Sequence, residues 1–346
     1  MSSFTYGCNW RRQKSLLFDR KEIDSVPQLL AELDELRLNN YYFRGQSNAK
    51  FAIVSSIQRA WRRGGCWKCK NPTKSYADFM SGLLEFARKS NLFSFCKGSL
   101  MDHEIWAYLQ HFACPTPLID FSSNPFVAAF FATEHASDKN GFCSIYALES
   151  DLSISGNIQD IQRLDELLQN TVSREKYYVE LAGFVYNIRS IRTHSLSRFA
   201  NWGFMENGVI INDKVNPEYP KSLPENGFAF LISKDGNNWC PKITSGRMNL
   251  QEGLFVYAPI ADESLEEFFK RKLDKTDEQG NTQSVIYQKM KCFDIPASNV
   301  KELRQAVEGA NISRDSLGLS PCEQENGVKA MYGEYLNRLA ATAQTP

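Results

Sequence analysis

Leu29, Leu30, Leu33 and Leu36 recur at the spacing of one helix face, with Pro27 in the first turn and Asp24 or Ser25 ahead of it. They predict a first amphipathic helix. It runs into Tyr41-Tyr42-Phe43, an aromatic strand. The segment from Gln58 to Lys74 has Gly64-Gly65, Pro72 and dense cations, which predict an exposed loop before a helix near Tyr76 to Ser90. Ile105, Trp106, Leu109 and Phe112 mark one face of another helix. Cys114-Pro115-Thr116-Pro117 breaks it before the short strand Leu118 to Phe121. A helix from Pro125 to about Glu134 precedes a strand over Cys143 to Leu148. Phe228 to Ile232 and Leu254 to Tyr257 are strand-like, with a turn at Asp235-Gly236-Asn237-Asn238 between them. The tail predicts a charged amphipathic helix over Glu263 to Lys275, a last strand over Lys289 to Ile295, and a helix capped by Ser298 and running to about Glu308. Together these elements predict an α+β fold.

Composition narrows the setting. The 346 residues are enough for one large domain with insertions. Lysine plus arginine equals aspartate plus glutamate at 40 each, so no global positive field draws in nucleic acid, and any such contact needs a local patch. Nine scattered cysteines and a start without a basic-then-apolar signal predict the reducing cytoplasm. No apolar run reaches the roughly 18 residues of a membrane span, so no membrane partner is expected.

Chemistry concentrates at the turn from Asp120 to Ala129. Asn124 can cap the helix and Pro125 suits its first position, so a capped core helix explains part of the pattern. Asp120, Ser122, Ser123 and Asn124 nevertheless exceed what one cap needs, and a helix amide end favours a phosphate. Arg44 ends the aromatic strand, with Gly45 letting the backbone pass close to a ligand and Gln46 offering a donor and an acceptor. Its guanidinium suits phosphate or carboxylate, and an internal salt bridge is the alternative. Gln110 and His111 end a helix aimed at the turn. Arg247, Gln251 and Glu252 sit just ahead of a strand, where Gln251 or Glu252 could hold a ribose hydroxyl and Glu252 could stabilise a cationic sugar intermediate.

Arg59, Trp61, Arg62, Arg63, Trp67, Lys68, Lys70 and Lys74 form a basic stretch interleaved with tryptophan, which suits a nucleic-acid backbone and base stacking, or simply a solvated loop. Cys66 and Cys69 have the spacing of half a zinc site, but no second pair follows, so no metal is expected. No Walker loop, dinucleotide glycine fingerprint or nucleophile elbow is present.

Phe43-Arg44-Gly45, Leu109-Gln110-His111-Phe112, Pro115-Thr116-Pro117-Leu118-Ile119-Asp120-Phe121, Asn124-Pro125, Ala128 to Ala132, and later Arg247, Gln251, Gly253 and Phe255 resemble the FRG domain family, named for its Phe-Arg-Gly motif. Pro117 stands where the family usually has arginine, and Ala113 where it has a glycine-like residue. The resemblance implies a domain over about 1–310, with the basic Trp/Cys loop at about 58–75, a mixed insertion at about 151–205, and a helical extension at 311–346. The family is bacterial and phage-associated, and its layout is similar to ADP-ribosyltransferases. That likeness implies a mixed, split sheet and an NAD-consuming transferase acting as a toxin or anti-phage effector. Arg44, Gln46, Gln110, Ser122, Ser123, Asn124 and Arg247 would then hold NAD. Arg44, His111, Asp120 and Gln251 or Glu252 would serve the transfer, with RNA or DNA as a candidate acceptor and an antitoxin or chaperone as a candidate partner. A nucleotide- or nucleic-acid-binding module without turnover, or a structural component of a toxin-antitoxin assembly, is the alternative.

Overall fold

A computed structural model describes residues 4–39, 41–63, 72–94, 102–149 apart from 138 and 140, 247–257, 261–273, 289–320 and 322–343, with short segments at 204–206, 209–211, 229–231, 275–276 and 282–283. The chain opens with α1 (Trp10–Ser15), β1 (Asp19–Glu22), α2 (Val26–Leu38) and β2 (Tyr41–Gln46). Helices α3 (Ser56–Arg63), α4 (Pro72–Lys89) and α5 (Asp102–His111) follow, then β3 (Leu118–Ser122), α6 (Pro125–Glu134) and β4 (Phe142–Glu149). Three short strands, β5 (Phe204–Glu206), β6 (Val209–Ile211) and β7 (Ala229–Leu231), precede a helical turn at Arg247–Leu250 and β8 (Gly253–Tyr257). The remainder is α7 (Leu265–Leu273), a small ribbon of β9 (Lys275–Thr276) and β10 (Thr282–Gln283), β11 (Met290–Pro296), α8 (Ala297–Gly309) and α9 (Glu323–Ala343).

The sheet runs β1-β11-β4-β2-β3-β8, continued past β8 by β7, β5 and β6. Among the described strands only the β1·β11 pair of this sheet is parallel, so the fold is α+β with one mixed sheet, as the element pattern predicts. The expected split sheet is instead continuous, but it parts at one place. β2 pairs with β4 over six residues, from Tyr41↔Glu149 to Gln46↔Ser144, whereas β2 and β3 share a single register pair, Phe43↔Ser122. Beyond Phe43 those two strands diverge.

Alternation along β2 sends Tyr41 and Phe43 to one face and Tyr42 to the other. On the first face lie the leucines of α2, the Ala128, Ala129 and Ala132 stripe of α6, and Leu303 and Val307 of α8. Each fully buried leucine contributes about 1.5–3 kcal/mol. On the second face, Leu265, Phe268 and Phe269 of α7 pack with Phe18, Ile53, Tyr146 and Val256. Ser264 and Glu267 form a capping box that starts α7, with the Ser264 amide donating to Glu267 Oε2 at 3.0 Å and the Glu267 amide to Ser264 Oγ at 3.3 Å. A third cluster joins α3, α4, α5 and α9. There the Tyr335 hydroxyl donates to the Phe79 carbonyl at 2.8 Å, so α9 shares a core with the chain's first half.

Two local expectations are corrected. Residues 58–63 form most of α3 rather than a loop, because Ile57 and Trp61 fall four apart and both are buried. Ser298 does not cap α8: β11 runs straight into the helix with Pro296 at the cap position, and Ser298 Oγ donates to Asn299 Oδ1 instead. The Asp235 to Asn238 turn, most of the 151–205 insertion, and Cys66, Trp67, Lys68, Cys69 and Lys70 lie outside the described residues.

Candidate functional site

Where β2 and β3 separate, a cleft of about 1110 Å³ opens, lined by Arg44, Gln46, Arg59, Asp120, Ser122 and Gln251, among others. Arg44 lies at the fork, and its Nη1 donates to the Asp120 main-chain carbonyl at 2.7 Å, spanning strands that no longer pair. Its Nε is buried and has no partner among the described residues. Protein around the guanidinium lowers its pKa, and Asp120 works the other way. Gly45 leaves the opposite face of the strand. A Cβ there would stand 1.9 Å from the Ala128 carbonyl oxygen and 2.5 Å from the Ala132 nitrogen, so α6 can lie on β2 only because residue 45 lacks a side chain.

Arg59 enters from α3, steered by an Nη1 bond to the Val54 carbonyl at 2.8 Å. Surrounding protein, then the charges of Arg44 and Arg63, push its pKa down to about 10, with Asp120 opposing. Arg63 lines the same cleft and is exposed. Among the described residues, none of these three arginines has a carboxylate partner within ion-pair distance. Like charges gathered without a paired acid form a site for an anion. Arg62 also lines the cleft, with its guanidinium carbon 3.8 Å from the Phe4 ring centroid and Nη2 donating to the Asp262 carbonyl at 3.3 Å. Trp61 touches the cleft but is buried at 1% exposure and packs edge-on against Tyr76 at 5.3 Å, so its ring is no open platform for a base.

The turn's surplus polar groups have internal uses. Asn124 Oδ1 accepts from the Phe126 amide at 3.0 Å, and Asn124 Nδ2 donates to Glu252 Oε1 at 2.9 Å. Ser122 Oγ accepts from the Asn124 amide at 2.9 Å and donates to the Gln251 carbonyl at 2.6 Å. The Ser123 amide donates to the Glu252 carbonyl at 3.0 Å, and Pro125 has no amide hydrogen to offer. The expected helix-end cradle is therefore occupied by the 251–252 backbone and the turn itself.

Gln251 lines the cleft, with Nε2 given to the Leu317 carbonyl at 3.1 Å. Glu252 does not line it. Its φ of +44° turns the side chain outward to Ser123, Asn124 and Arg37, the last at 3.5 Å. His111 also lies apart from the lining residues. Burial, with Arg247 adding, lowers its pKa to about 4 against a pull from Asp120, and its ring meets Phe255 edge-on at 5.7 Å. Arg247 is a strut: Nη1 donates to the His111 carbonyl at 2.5 Å and Nη2 to that of Ser320 at 2.8 Å. Gln110 stands behind Asp120. Its Nε2 donates to Asp120 Oδ2 at 2.7 Å, and its Oε1 accepts from the Thr116 hydroxyl.

The structure thus brings Arg44, Gln46, Arg59, Arg62, Arg63, Asp120, Ser122 and Gln251 together, and leaves Gln110, His111, Ser123, Asn124, Arg247 and Glu252 outside the lining. Sequence reasoning did not single out Phe51, Ala52 or Val54, which line the apolar wall, or Thr116, which fixes Gln110. The sequence signal for the first three is the short apolar run Phe51-Ala52-Ile53-Val54 ahead of a cationic helix, of which Phe51 is left exposed.

Residues 39–141, from the end of α2 through α6, match the FRG domain family, so this stretch of the chain is an FRG domain. The match includes Arg44, Gly45, Arg59 and Asp120 and ends before β4. Neither a comparison with curated proteins nor one with solved structures found a match.

Proposed function

We propose that the cleft is a nucleotide site in which Arg44 and Arg59 hold phosphate groups, and that it serves ADP-ribosyl transfer from NAD in a toxin or anti-phage effector. The observation that carries the binding half is the orientation of both guanidiniums. Each is steered by one backbone carbonyl, Asp120 or Val54, and neither has a carboxylate within ion-pair distance among the described residues. Their other donors remain available to a ligand. A cleft of this volume is large enough for a dinucleotide.

In the transfer, the bond between the ribose anomeric carbon and the nicotinamide nitrogen breaks and its electron pair leaves with nicotinamide. The acceptor bonds to that carbon and releases a proton. Asp120 lines the cleft and its charge acts on Arg44, whereas Glu252 does not line it, so electrostatic support for the cationic sugar falls to Asp120 rather than Glu252. Glu252's outward bonds favour one other reading, a module that binds nucleotide without turnover.

Incubating the purified full chain with NAD labelled in the nicotinamide ring, with protein and nucleic-acid acceptors present, separates the two. Release that falls at least tenfold in Arg44→Ala and in Asp120→Ala supports transfer; saturable binding without release supports the module. No binding at all would sink both. Losing one charged hydrogen-bonding group weakens binding by about 1.5–3 kcal/mol.

A further inference from the structure

Three cleft atoms define what a ligand must bring. Among the described residues, Arg44 Nε is a buried donor without a partner, and Gln46 Oε1 is a buried acceptor without one. The Gln46 amide orientation is set by Nε2 donating to the Ala52 carbonyl at 3.4 Å. The third atom is Asp120 Oδ1. Gln110 holds Oδ2, and Oδ1 has no hydrogen bond among the described residues, while the side chain is exposed in the cleft. Ser122, another of the residues expected to hold NAD, has already given its proton to the Gln251 carbonyl. Beside arginines that take anions, the site therefore presents two acceptors, an open carboxylate oxygen and a buried amide oxygen. A bare polyphosphate carries no such donors, and a deoxyribose lacks half of the vicinal pair. A ribose carries two adjacent hydroxyls next to its phosphate, and a fixed carboxylate is the usual acceptor for such a pair.

Resting on the nucleotide reading, we infer that the cleft selects ribonucleotides over deoxyribonucleotides, with Asp120 accepting from the sugar hydroxyls and Gln110 and Thr116 positioning that carboxylate. Asp120→Ala keeps the main-chain carbonyl that steers Arg44, so phosphate binding and sugar selection can be separated.

The experiment measures binding of the four ribonucleoside diphosphates, their 2′-deoxy counterparts and inorganic pyrophosphate to the full chain by calorimetry. The expected result is at least one ribonucleoside diphosphate bound roughly tenfold or more tightly than its deoxy form. That ratio should collapse toward one in Asp120→Ala and shrink in Gln110→Ala, while pyrophosphate binding is retained in both variants. Equal affinity for ribo and deoxy forms overturns the sugar inference and leaves the nucleotide site standing. Pyrophosphate binding without any nucleotide binding overturns the inference and reduces the site to an anion pocket. Failure of all nine ligands to bind overturns the inference and the nucleotide reading together. A selectivity ratio unchanged in a folded Asp120→Ala, checked by its melting curve, overturns the role of Asp120.

Discussion

Arg44 and Gly45 are neighbours with opposite duties, because successive residues of a strand leave on opposite faces. One reaches into the cleft, and the other lets α6 settle on the sheet. Gly45→Ala is therefore expected to destabilise the fold by about 3 kcal/mol, since the clash is with backbone of a packed helix. Urea denaturation would show this as a lower midpoint at unchanged slope, and a wild-type midpoint would contradict the packing. The same alternation explains what was legible here. Arg44, Asp120 and Gln251 could be picked out as polar groups bordering apolar strands. The choice between Gln251 and Glu252 could not, because it turns on the positive φ at Glu252, which its side-chain type does not announce.

At the scale of elements, α2, α6, β2, β3, β4 and β11 follow from periodicity and from capping chemistry at Asn124. Helix α3 was hidden because its arginines outnumber the two apolar residues that bury it, so charge density masked a four-residue spacing. The α6 start was legible as a cap, but its use as a clamp on residues 251–252 depends on a turn 129 residues away in sequence from Ser122. Asn124→Ala removes both the cap and the Glu252 bond. It is expected to cost about 1–2 kcal/mol in a thermal melt while leaving cleft ligand binding within twofold of wild type. A large loss of binding with normal stability would instead return the turn to the ligand site.

Over the whole molecule, buried charge links distant parts of the chain. Lys14 of α1 reaches Asp294 of β11 and donates to Ser144 of β4 at 2.9 Å, while Arg20 Nε donates to the same aspartate at 2.5 Å. On the other side, buried Glu266 of α7 accepts from the Ile53 amide at 3.1 Å and from the Tyr6 hydroxyl. Burial raises the Glu266 pKa from its ordinary 4.5 to about 7, with its hydrogen bonds pulling the other way. Between those values the folded chain holds a proton that the unfolded chain has released, so this group's contribution is full below 4.5 and is lost as pH rises through 7. His111, lowered to about 4, acts in the opposite sense: its contribution is full above the unfolded value and is lost as pH falls toward 4. Glu266→Gln removes only the first slope. The stability of wild type relative to this variant should therefore decline from pH 5 to pH 8, and parallel pH profiles would refute the assignment.

The placement of the cleft also sets an order of events in time. Arg44 and Asp120 lie within residues 39–141, but the long partner of β2 is β4, and Gln251 and Asp262 close the cleft from much later in the chain. The β1·β11 pairing adds a parallel contact, at one edge of the sheet, between strands about 270 residues apart in the chain. Long-range pairings of this kind form slowly and late. A growing chain thus displays its arginines well before it owns a pocket, and whatever the pocket binds meets it only after the chain past Asp262 has folded back.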